Sequence, residues 1–85
     1  MLRITRVSNS HSVTLKLEGA LREPWVAEFR RACEAESRPP TLDLTDVQYV
    51  DASGESTLRE LLQRREVTVG ACSNFVAELL QLVKP

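Results

Sequence analysis

Residues 49–61 read YVDASGESTLREL, and within them Asp51-Ala52-Ser53-Gly54 stands where a β-branched run gives way to a leucine-spaced one. A small hydroxyl between an acid and a glycine at such a junction can act chemically in three ways. Ser53 or Asp51 can cap the helix that follows, accepting from backbone N–H groups that have no partner inside the helix. Ser53 can be a nucleophile, or it can accept a phosphoryl group at the positive end of the helix dipole. The nucleophile reading is weak, because a G-x-S-x-G elbow needs glycine where Asp51 stands. The only histidine, His11, lies in a distant polar stretch, so no Ser-His-Asp or Cys-His arrangement has clear partners. A self-contained hydrolase is not indicated, and no residue constellation points to a metal or cofactor.

The elements that must hold this turn can be read from periodicity. LRITRV (2–7) carries an imperfect strand pattern and SVTLKLEG (12–19) a clean one with Val13, Leu15 and Leu17 on one face, and the polar SNSH between them predicts a hairpin. Gly19 is expected to end the second strand. EPWVAEFRRACEAE (23–36) predicts a helix with Pro24 at its first position, where the missing N–H costs nothing. Its apolar stripe is Trp25, Val26, Phe29, Ala32 and Cys33, with Trp25 as a core anchor, and the prolines of SRPP (37–40) stop it. TLDLTDVQYV (41–50) predicts a third strand, and a second helix is expected from about Gly54 to Arg65 with Leu58, Leu61 and Leu62 inward. EVTVGAC (66–72) predicts a fourth strand, after which Ser73 caps a third helix burying Phe75, Val76, Leu79, Leu80 and Val83.

The order is β-β-α-β-α-β-α. Strand–helix–strand units require crossovers, so part of the sheet must be parallel, while the first hairpin adds an antiparallel pair. The expectation is a single α/β domain spanning 1–85, with a mixed four-stranded sheet packed with three helices.

Composition narrows the partners. Eleven Lys+Arg stand against twelve Asp+Glu, which gives no electrostatic argument for nucleic acid or an anionic membrane. The N-terminus alternates rather than forming a signal-peptide core, and no apolar run approaches the roughly 18–20 residues of a membrane span, so a cytoplasmic protein is expected. Cys33 and Cys72 lack C-x-x-C spacing and read as small buried apolar residues.

LDLTDVQYVDASGESTLREL resembles the signature segment of the STAS family, the sulfate-transporter and anti-sigma-factor-antagonist domains. The likeness rests on Leu42-Asp43-Leu44-Thr45, Val47, Tyr49, Val50, Asp51, Ser53 and Gly54, with Gly19 and Leu21 of VTLKLEGAL as a weaker second match. The resemblance implies a single STAS-like fold and a non-enzymatic, cofactor-free interaction module of bacterial signalling and transcription control. It makes Ser53 the phosphoacceptor for an anti-sigma factor serine kinase, with Asp51, Ala52, Gly54, Glu55, Ser56 and Thr57 forming the partner-docking surface. The alternative it carries is a constitutive accessory subunit docking on a transporter ATPase, with no phosphate involved. The chain departs from the family pattern at Ala52, where Ser or Thr is usual, and at Glu55-Ser56, where Leu-Gly is usual. Ser56 and Thr57 offer further hydroxyls on the same turn, and helix packing is the other reading of Thr57.

Overall fold

A computed structural model describes residues 1–80 of the chain. Its elements are β1 (Leu2–Ser8), β2 (Val13–Leu21), α1 (Trp25–Glu34), β3 (Thr41–Val50), α2 (Ala52–Gln63), β4 (Thr68–Cys72) and α3 (Asn74–Leu80). The expected order and the mixed, four-stranded sheet are both found. The strands lie side by side in chain order: β1 pairs antiparallel with β2, and β2–β3 and β3–β4 are parallel.

Alternation along the strands sends one set of side chains into a single core. Leu15, Leu17, Leu21, Leu42, Leu44 and Val47 from the sheet meet Val26 and Phe29 of α1, Leu58 and Leu61 of α2, and Val76 and Leu80 of α3. The opposite face carries Arg3, Thr5, Lys16, Glu18, Asp43 and Asp46, none of them buried. The fold is therefore two layers, with the helices covering one face of the sheet.

The hairpin turn is held by its own sequence, since Asn9 Oδ1 accepts from the N–H groups of His11 and Ser12 at 2.8 Å each. Ser73 caps α3 as expected: Val76 N donates to its hydroxyl at 3.3 Å. Val83 lies outside the described residues.

Several expectations need correction. β2 does not stop at Gly19 but bends there, with φ +105° and a register shift against β3, and continues to Leu21. Leu21 keeps the inward face of Leu15 and Leu17 and is fully buried. Pro24 precedes α1 instead of opening it, because Trp25 N donates to Arg22 O in a turn that closes just before the helix. Trp25 only flanks the core, and Phe29 is its aromatic centre. Helix α2 starts at Ala52, two residues earlier than its leucine spacing suggested, because Asp51 caps it. It ends at Gln63, and β4 begins only at Thr68. Phe75 is 45% exposed, while Ala77 takes a place in the buried side of α3.

Candidate functional site

Parallel pairing fixes the site. Leu21 and Val50 are partners at the carboxyl ends of β2 and β3, so the corner after β2 and the turn after β3 leave the sheet together. Asp51 follows with extended backbone, φ −85° and ψ 179°, the conformation of a helix cap. Its Oδ1 accepts from Gly54 N at 2.7 Å. Its Oδ2 accepts from Glu23 N at 3.0 Å, so one carboxylate joins the start of α2 to the β2–α1 corner. Those N–H donors, Gly54 first and Glu23 second, hold the Asp51 carboxyl below its ordinary range.

Ser53 stands in the first turn of α2, half-buried, and its Oγ donates to Glu23 Oε2 at 2.7 Å. Gly54 is buried, though not for want of unusual backbone angles. A Cβ there would meet the carbonyl oxygen of Leu21, with Val50 Cγ1 at 3.0 Å and Leu21 Cγ at 3.1 Å. The glycine is a packing requirement: it lets α2 start directly against the end of β2.

The residues expected to form a docking surface divide by accessibility. Ala52 and Ser56 are exposed, and Asp51, Ser53 and Glu55 are partly so. Gly54 and Thr57 are buried and present no side chain to a partner, because the turn faces them onto the sheet. Glu55 is not a free carboxylate beside Ser53. It accepts from Arg59 Nε at 2.9 Å one turn along, and Arg59 Nη2 donates to Leu79 O at 2.6 Å, tying α2 to α3.

Glu23 is the residue that sequence reading did not find. Expected at the edge of the helix that Pro24 was to open, it is instead an exposed corner residue thirty positions from Ser53. The signal available was indirect: once β2 and β3 are taken as parallel neighbours, the acid after Leu21 falls beside the turn after Val50.

Chemically, the site offers a hydroxyl already donating to a carboxylate and a helix start whose cap is filled. His11 sits beyond the opposite end of β2, a nine-residue strand spanning about 30 Å, so it is not a base for Ser53. Among the described residues no group of His, Cys, Asp and Glu is arranged to hold a metal ion. The cleft lined by Arg30, Cys33, Arg38 and Arg64 lies toward the far ends of α1 and α2, away from Ser53. No helix among the described residues is long and apolar enough to cross a membrane.

A two-layer α/β domain with a parallel strand–turn–helix presenting a serine defines the class of fold. The family model described as Mlab, STAS domain, matches residues 4–84, and the chain belongs to the STAS domain family. No curated protein matches it.

Proposed function

We propose that the chain is a protein-docking module of the anti-sigma-factor-antagonist kind, which binds its partner with the start of α2 and is released when Ser53 is phosphorylated. The observation that carries this reading is the Ser53 hydroxyl itself, accessible in the first turn of α2 and committed to a single hydrogen bond with Glu23. A phosphoryl group adds about −1.5 to −2 charges on a surface that already holds Asp51 and Glu23. A partner packed over that surface would hold like charges with little water between them, and binding would fail. The partner's chemistry on this reading is that of an anti-sigma factor serine kinase.

A second reading is a module that docks constitutively on a transporter ATPase. The departure at Glu55-Ser56, where the family pattern has Leu-Gly, favours it, since it sets a carboxylate fixed by Arg59 two residues from Ser53.

Phosphosite mapping of the protein from its native cell, followed by a binding titration, separates the two. On the switch reading, Ser53→Ala keeps partner affinity and Ser53→Asp lowers it at least about tenfold, the equivalent of about 1.4 kcal/mol, with an unchanged circular dichroism spectrum. Equal affinity for both variants, together with loss on Glu55→Lys, would instead favour constitutive docking.

A further inference from the structure

We infer that Glu23 is a positioning residue of the Ser53 site, and that a phosphoryl group on Ser53 acts first within the domain, by evicting the Glu23 carboxylate and loosening the β2–α1 corner. The inference rests on the phosphoacceptor reading above.

The corner is Arg22-Glu23-Pro24, exposed throughout, between a fully buried Leu21 and the start of α1. It is fastened to the start of α2 at two points of the same residue. Glu23 N donates to Asp51 Oδ2 at 3.0 Å, and the Glu23 carboxylate accepts from Ser53 Oγ at 2.7 Å. Asp51 N donates to Leu21 O just behind, at 3.2 Å, so the strand end is secured independently of the corner. Among the described residues the Glu23 carboxylate has no ion pair. What holds that anion in place is the Ser53 hydroxyl.

Phosphorylation reverses this contact. A kinase transferring a phosphoryl group from a nucleoside triphosphate forms a P–O bond at Ser53 Oγ, releases the nucleoside diphosphate, and removes the hydroxyl proton. Ser53 then has nothing to donate, and a dianion adjoins a carboxylate that has no ion pair among the described residues. The phosphate turns to solvent, since Asp51 already takes the Gly54 and Glu55 N–H groups of the first turn of α2. The carboxylate must leave. The corner keeps its Asp51 bond alone, while the core, capped and packed beneath, stays folded. The surface offered to a partner therefore changes in shape at residues 22–24 as well as in charge at Ser53.

The test needs no partner. Phosphoserine is installed at position 53 during translation, with and without Glu23→Gln, and hydrogen exchange of the segment 21–25 is compared with thermal melts. Phosphoserine should speed exchange in that segment by about tenfold without changing it in β3. Glu23→Gln should do little to the unmodified protein, because the amide oxygen still accepts from Ser53. In the phosphorylated protein it should restore protection and raise Tm, because the repulsion is gone and an N–H donor has been gained. Equal exchange with serine and phosphoserine, or no rescue by Glu23→Gln, would overturn the inference. Corner release with unaltered partner binding would leave it standing and remove the docking reading instead.

Discussion

Asp51 and Ser53 divide the roles that a sequence leaves merged. Both can cap a helix, but only one geometry is realised: Asp51 takes the Gly54 amide, and Ser53, two residues further on, turns its hydroxyl to Glu23. The cap is filled without the serine, so Ser53 is free for another use. The cysteines separate in the same way. Cys33 is buried under α1, and burial pushes its thiol up to about 12, far from the thiolate a reagent attacks. Cys72 is free and only partly buried. A thiol-reactive probe should therefore label Cys72 in the native protein and leave Cys33 unlabelled until denaturant is added, one adduct becoming two by intact mass. Equal labelling of both in native buffer would contradict this packing of α1.

The two ends of α2 contain opposite compromises. At its start Gly54 gives up helix propensity, worth about 1 kcal/mol relative to Ala, for contact with the Leu21 carbonyl. Because that neighbour is backbone, it cannot move aside without parting α2 from β2. Gly54→Ala should lose more than it gains, a net destabilisation of about 1–3 kcal/mol typical of overpacking, visible as a lower urea midpoint. At the other end the chain leaves through Arg65 at φ +57°, with Glu66 N bonded to Leu61 O at 2.9 Å and Arg65 N to Leu62 O at 3.1 Å. This is the paired closure usually given to glycine. Arg65→Gly should raise the midpoint, by up to about 1 kcal/mol, and a fall would mean that the arginine side chain contributes more than its backbone costs.

Across the whole molecule, carboxylates add polar ties between elements that the core and sheet already bring together. Glu36 joins the end of α1 to Arg6 of β1 at 2.8 Å, Glu60 of α2 holds Arg30 of α1 at 3.1 Å, and Asp51 links the corner to α2. Each carboxyl lies below its ordinary value, Glu36 because of Arg6, Glu60 because of Arg30, and Asp51 because of the Gly54 and Glu23 amides. A folded-state value below the unfolded one means that the stabilisation is complete above the ordinary 3.8 and 4.5 and is lost as pH falls through the lowered values. The unfolding midpoint should be flat from neutral pH to about pH 5 and drop steadily below about pH 4. A midpoint unchanged down to pH 3 would show that these contacts contribute nothing to the fold.

Period-two and period-3.6 patterns made the element order, the mixed sheet and most of the core legible in the chain, because Leu15, Leu17, Leu42, Leu44, Leu58 and Leu61 each answer to a local alternation. The DASG segment was legible as a capped turn for the same reason, since a cap bonds within its own four residues. Boundaries were less readable at Gly19 and Pro24, where a neighbouring strand or turn outweighs local preference. Glu23 lay beyond any local pattern. Its place beside Ser53 comes from the parallel register that puts Leu21 opposite Val50, and register is a property of strands brought together. The hydroxyl belongs to the sequence, while the carboxylate that holds it is supplied by the packing of two strand ends thirty residues apart.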